Sequence, residues 1–517
     1  MAMANFMDRA ASAASRVLTN FKMSAFEDRV STQVIGVSFD GTAVKTFEGR
    51  ASLDLIIRLL SRFYPTIALR PLDPEAKRYV PTLELLAKSI NPQIELAKTR
   101  KAITVCVVIG CSPSQTKCPT FFIGSDGWRA KLSSNGPVGS GESMNPFGAG
   151  AASCFAAANV FRTVFAEQLE QGDADDHIDL SMLTYDHDTA GSGPSFEGTD
   201  IGDTHLVGLG AIGNGAIWAL ARAVGLKGSL RLVDHEEVDL SNLQRYVLTS
   251  QSDVGSPKVD LARAALAEAA LEVSAYCAKW DVYLSDRNDW MFERIAVALD
   301  NAPDRIAVQG VLPKWIVNAW TQELDLGVSR HGFDDGRACL ACLYLPHGKI
   351  KDEDEKMAEE LKMPEARQEI RHLLQTNRPV DTGFVERVAK AFDIPSEALR
   401  EFIGLSVRSF HQRAICGGIV MRLTDGAQPV RAVVPMSFQS ALAGIMLAAD
   451  LVKHASGLLN MRTTSTRINL LRPLASHLHD PKAKDTSGRC ICADEDFLAA
   501  YRRKYTGCAA REIRSNQ

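Results

Sequence analysis

Short apolar runs alternate with segments of helical period along most of this chain. TQVIGVSF, PTIALRPL, AITVCVVIG and TFFIGS read as strands, and SLDLIIRLLSRF reads as a helix between the first two. That alternation predicts an α/β layer rather than a bundle over residues 1 to about 200. NPFGAGAASCFAAANVFRTVFAEQL then reads as a glycine-punctuated turn feeding a long apolar helix. From Thr204 the order is strand (THLVGL), glycine turn, helix (AIWALARAV), strand (SLRLVD), loop, helix (PKVDLARAALAEA) and strands EVSAYC and IAVALD. This order predicts a parallel, doubly wound sheet. KWIVNAW reads as a further strand, after which RACLACLYLP marks a change to an irregular segment.

Residues 345 to about 413 are charged and carry apolar positions at helical spacing in KDEDEKMAEELK, EARQEIRHLL, FVERVAKAF and SEALREFI. They read as a helical insertion, extending to about 424, in a fold whose first part is 201–344. The chain returns to that fold over 425–480, through VRAVVPMSFQSALAGIMLAADLV, as an extended run and a long apolar helix. The charged tail after Arg472 reads as peripheral.

Composition narrows the function classes. At 517 residues the chain is long enough for two or three domains. Lys and Arg total 58 against 62 Asp and Glu, which offers no general attraction to nucleic acid or anionic lipid. The helical pair therefore lacks the basic stripe of a DNA reader. ALAGIMLAADLV is too short to span a bilayer and contains Asp450. The opening MAMANFMDRAASAASRVLTNF reads as an amphipathic helix rather than a transit peptide, because Asp8 interrupts it. Eleven scattered cysteines fit a reducing compartment, with the cytoplasm as the expectation.

Gly208, Gly210 and Gly213 supply a tight turn that lets backbone amides approach phosphates at a helix N-terminus. Asp234 closes the next strand at the spacing of a ribose-binding acid, so a nicotinamide dehydrogenase fits thus far. SNLQR after that acid, and then Lys258, put two cations and an amide near the phosphates, which suits a transferring phosphoryl group rather than a hydride. GLGAIG, the stretch from Asp234 through SNLQR, and DVGSPK together resemble the ThiF/MoeB-type adenylyltransferases and the ubiquitin-activating enzymes. The resemblance implies a Rossmann-like adenylation domain at 201–480 and a degenerate, inactive adenylation-like half at 1–200. It also implies a cysteine-bearing helical insertion, as in compact activating enzymes of bacterial ubiquitin-like antiviral defence operons.

By the same resemblance Asp234 binds the ATP ribose, Asn242, Arg245 and Lys258 contact its phosphates, and Asp300 holds Mg²⁺. Asp300 stands at the C-terminal end of a buried strand, the edge where ligands bind in such sheets, although it or Asn301 could equally cap the next helix. Cys339 and Cys342 form C-x-x-C, and Cys490 and Cys492 form C-x-C. The four are a plausible thiolate set for zinc, with disulfides or unrelated thiols as alternatives, and the family's second pair is usually C-x-x-C. Cys416, flanked by glycines and near Arg413 and His411, is the candidate nucleophile for a thioester; the alternative is a small buried residue. Cys277, Cys154 and Cys508 are weaker candidates. The partners implied are a ubiquitin-like protein and a conjugating-type enzyme, in an internal pseudodimer or a homodimer whose second half lends an arginine, Arg9 or Arg16. The alternatives are a sulfur-carrier adenylyltransferase for thiamin or molybdopterin synthesis and an inactive scaffold of the same fold.

Overall fold

A strand that is apolar at every position needs cover on both faces, and VCVVI is such a strand. In a computed structural model it is buried along its whole length, as is IGVSF beside it. The structure describes residues 4–97, 102–114, 116–345, 352–415, 419–424, 434–459, 464–474 and 479–515, with side chains followed as far as residue 505. The first sheet contains β1 (Ile35–Phe39), β2 (Thr66–Pro71), β3 (Glu95–Leu96), β4 (Val105–Ile109), β5 (Thr120–Asp126), β6 (Arg129–Ser133) and β7 (His177–Ser181). Its order is β3-β2-β1-β4-β5-β6-β7, parallel from β3 through β5 and antiparallel beyond.

The second sheet contains β8 (Asp200–Val207), β9 (Lys227–Val233), β10 (Glu272–Tyr276), β11 (Arg294–Val297), β12 (Trp315–Thr321), β13 (Leu326–His331), β14 (Ser465–Ile468) and β15 (His479–Asp480). Its order is β10-β9-β8-β11-β12-β13-β14-β15, again parallel through the first five and antiparallel afterwards. Lowering each label from β8 to β14 by seven reproduces the order of the first sheet, and β15 is one strand more at the edge. The winding is therefore repeated within one chain.

The two layers meet through four helices: Phe47–Leu60 and Pro146–Val164 from the first half, Ala211–Leu220 and Ser437–Ala455 from the second. Glycines allow the contact. A Cβ on Gly215 would sit 2.7 Å from the Ala441 carbonyl oxygen, and one on Gly444 2.2 Å from that of Ile212. Gly150 leaves room for the Trp218 ring in the same way, and Phe161 lies 5.9 Å from Phe438, ring to ring.

The insertion is helical, with Glu353–Glu360, Arg367–Thr376, Thr382–Phe392 and Val407–Phe410 packing Met357, Ile370, Phe384, Val388 and Phe410 inward. Two expectations are corrected. RACLACLYLP is not irregular throughout, since Leu340–Tyr344 is a short helix. The tail is not peripheral either: β15 joins the sheet, and in the helix beginning at Glu495 the Tyr505 hydroxyl donates to the Phe292 and Leu312 carbonyls at 3.0 and 2.9 Å. Among the described residues no helix is long and apolar enough to cross a membrane.

Candidate nucleotide site and cysteine cluster

In the second sheet the chain leaves β8 toward one edge and β11 toward the other, which opens a crevice at their carboxyl ends. Gly208 turns there with φ +91°, and a Cβ on it would lie 2.7 Å from the Ala298 carbonyl oxygen. Gly213 passes as closely to the Gly208 carbonyl, whereas a Cβ on Gly210 would meet only the Tyr246 hydroxyl, at 3.4 Å. The turn delivers the ten-residue helix Ala211–Leu220 with its N-terminus facing the crevice.

Asp234 stands at the end of β9 and accepts from the Leu209 amide at 2.6 Å and the Glu236 amide at 2.8 Å. It thus braces the glycine turn from the neighbouring strand. Asn242 is buried, and its Oδ1 accepts from the Asp239 amide at 3.0 Å, a capping box that shapes the SNLQR loop. Arg245 and Lys258 approach the Tyr246 ring at 5.5 and 5.1 Å, and the buried Arg245 Nη1 has no hydrogen-bond partner. Lys258 forms an ion pair with Glu236. Burial works against its ammonium, but Tyr246, Asp234 and Glu236 outweigh that and raise its pKa above the usual lysine value. Asp300 is exposed just beyond β11. The cap of helix Ala302–Gly310 is Asn301, which accepts from the Asp304 amide, so Asp300 is not committed to that task. Arg245 and Lys258 thus stand over Tyr246, whose hydroxyl borders Gly210 of the glycine turn, while Asp300 follows the neighbouring β11.

The first sheet has its own crevice between β1 and β4, and a side chain fills it. Asp40 follows β1 and accepts from the amides of Thr42 and Ala43 at 3.0 and 3.1 Å. From the end of β4, the amides of Cys111 and Ser112 and the Ser112 hydroxyl donate to its second oxygen, each at 2.8 Å. Gly110, at φ +116°, makes way for this carboxylate. An anion of the chain itself thus occupies the place that the second half leaves open.

The four cysteines converge. Their sulfur atoms are separated by 3.4 to 3.8 Å along five edges and all lie within 4.8 Å of one another. A zinc tetrahedron with bonds of about 2.3 Å has edges of about 3.8 Å. The Asp485 amide donates to the Cys342 sulfur at 3.4 Å, an outer contact typical of a ligating thiolate. Hydrogen bonds from Cys339 and Cys490 favour the Cys342 thiolate, while Cys342 and Cys490 push Cys339 up. These donors fit a soft divalent metal, and the C-x-C spacing does not prevent all four from meeting.

The other predicted residues are dispersed. Cys416 lies outside the described residues, as does the side chain of Cys508. Cys154 is buried in the Pro146–Val164 helix, where burial raises its pKa, and Cys277 is exposed just past β10. Arg16 does cross to the second half, but there it pairs with Glu323 at 2.9 Å; Arg9 is buried. Sequence reasoning missed Tyr246 and Asn214. Asn214 Nδ2 donates to the Leu209 carbonyl at 2.9 Å, and its Oδ1 accepts from the Leu248 amide at 3.2 Å, linking turn to loop. Its position inside the glycine motif was the available signal.

Residues 203–492 match the family model described as the ThiF family, more than half of the chain. The chain belongs to the ThiF family. Residues 38–166, ahead of the ThiF region, match a second model, Prokaryotic E2 family C. The "Uncharacterized protein y4jF" of Sinorhizobium fredii is 59% identical over 506 residues, 98% of each chain. The molybdopterin-synthase adenylyltransferase of Escherichia coli is 44% identical over 91 residues, 17% of this chain and 36% of that protein. The Drosophila yakuba adenylyltransferase and sulfurtransferase MOCS3 is 30% identical over 144 residues, 27% of this chain and 31% of that protein. These two shorter likenesses cover about a third of each relative.

Proposed function

We propose that this protein adenylates the C-terminal carboxylate of a ubiquitin-like protein with ATP, stores the acyl group as a cysteine thioester, and passes it to a conjugating-type enzyme. The observation that carries the reading is the carboxyl end of a ThiF-family sheet, where Asp234 braces the Gly208 turn and Arg245 and Lys258 stand over Tyr246, whose hydroxyl borders Gly210. A carboxylate oxygen attacks the α-phosphorus, the bond to the bridging oxygen breaks, and pyrophosphate leaves. Arg245 and Lys258 neutralise charge that grows on the phosphates, and the amides at the start of Ala211–Leu220 orient them. Mg²⁺, held by Asp300, would shield the phosphate oxygens. A thiolate then adds to the acyl carbonyl and AMP departs.

The match of residues 38–166 to a family named for E2 enzymes supports conjugation over simple adenylation, because it puts a second conjugation-related segment in the same chain. The repeated strand order supports the reading of residues 1–200 as an inactive partner half. A second reading, activation of a sulfur-carrier protein, draws on the 91-residue likeness to the E. coli molybdopterin-synthase adenylyltransferase.

ATP–pyrophosphate exchange with candidate ubiquitin-like proteins tests both, run beside non-reducing gels of wild-type, Cys416→Ala and Cys111→Ala protein. Cys111 is included as the exposed cysteine among the described residues of the E2-matching stretch. We expect exchange and a thiol-sensitive adduct that Cys416→Ala abolishes. Exchange without any adduct favours the sulfur-carrier reading, and loss only in Cys111→Ala moves the acceptor to the first half. No exchange with a cognate partner rejects adenylation.

A further inference from the structure

The loop that carries Arg245 and Tyr246 is held from the other half of the molecule. Arg62, at the end of the Phe47–Leu60 helix, is 1% exposed, and its Nη2 donates to the carbonyls of Tyr246 at 2.7 Å and Thr249 at 2.5 Å. One turn earlier, Arg58 Nη1 donates to the Val247 carbonyl at 3.0 Å and reaches that of Leu248 at 3.4 Å. Four consecutive carbonyls at the end of the SNLQR turn thus face two guanidinium groups, separated in sequence by 184 to 190 residues. Such carbonyls carry the negative end of the local backbone dipole, and a forked cation satisfies two at a time. From beneath, Asn214 ties the same loop to the glycine turn through the Leu248 amide.

These bonds leave the loop little freedom except as a body moving with the first half. Arg245 immediately precedes the clamped carbonyls, and the Tyr246 hydroxyl borders Gly210. We infer that Arg58 and Arg62 are positioning residues for the nucleotide: the first half sets where Arg245 and Tyr246 stand relative to the phosphates, without touching ATP. This inference rests on the nucleotide reading of the Gly208 crevice.

The test measures MgATP affinity by calorimetry and the melting temperature on the full chain for wild type, Arg58→Gln, Arg58→Lys and Arg62→Lys. Arg58→Gln is expected to stay folded, since Asp54, its other partner, keeps Trp218 Nε1 at 2.8 Å and Arg222 at 3.0 Å. It should bind MgATP about tenfold more weakly than wild type while melting alongside it. Arg58→Lys should recover most of the affinity, and Arg62→Lys, having lost the fork, should not. Unchanged affinity in folded Arg58→Gln overturns the inference. Wild-type protein that binds no MgATP overturns the nucleotide reading instead, and does so before any variant is made.

Discussion

Asp40 and Gly208 follow the first strands of their sheets, and the chemistry of each half turns on that difference. Gly208 leaves the crevice free, whereas the Asp40 carboxylate consumes five donors. Calorimetric titration should therefore find one ATP per chain. Asp40→Ala should cost about 3 kcal/mol in urea unfolding, because backbone donors are left unpaired in a buried position. The glycines, Asp234 and Lys258 were legible in the sequence because each lies inside a motif whose spacing has a mechanical reason. Asn242 was singled out for a phosphate contact, and the loop-bracing bond that its Oδ1 accepts from the Asp239 amide was not legible. Asp40 was not legible. FDGT announces a helix cap, but nothing local says that the second carboxylate oxygen meets Cys111 and Ser112 some seventy positions away.

Among the elements, the parallel strands could be read because their runs are almost wholly apolar. β6 (RAKLS) and β7 (HIDLS) escaped, being short, alternating and half polar, and β13 and β14 are separated by the whole insertion. The cysteine pairs were visible, and their meeting decides the fate of the tail. Cys339 and Cys342 flank the start of the Leu340–Tyr344 helix, while Cys490 and Cys492 precede the helix that begins at Glu495. Metal analysis of the purified chain should give one zinc per molecule. Cys490→Ser should lower that content and expose the segment after residue 481 to limited proteolysis, with ATP binding retained because the crevice lies on other elements.

At the scale of the whole molecule, buried charge joins the halves. Asp450, fully buried, pairs with Arg330 at 2.6 Å and Lys453 at 2.5 Å and accepts from the Tyr185 hydroxyl at 2.9 Å. Lys453 in turn donates to the Met182 and Leu183 carbonyls of the first half at 3.0 and 3.1 Å. In the sequence Asp450 only argued against a membrane span; besides Lys453 one turn on, its partners come from two distant segments. Three buried histidines, His205, His331 and His454, make the assembly sensitive to acid, and the first and last show it away from the cysteine cluster. Burial pushes His205 down to about 3, and burial with Arg294 and Lys314 nearby pushes His454 down to about 4. The unfolded chain protonates both near pH 6.5, so it binds more protons than the native state below that pH. Stability is therefore retained above about pH 6.5 and falls toward pH 4, each histidine adding up to about 1.4 kcal/mol per pH unit. Urea midpoints at pH 7.5 and 5.5 should show the loss, and His205→Phe should reduce it.

The helix Ser437–Ala455, which covers Pro146–Val164 and Ala211–Leu220, also governs the order of events at the ribosome. The Ala-rich face of Pro146–Val164 emerges roughly 270 residues before its cover, and at about 5–20 residues per second that is a wait of roughly 15–60 s. By the later part of that interval a nascent chain with two nearly finished sheets presents bare apolar helices to its surroundings. Chains truncated before Ser437 should be captured by chaperones or precipitate.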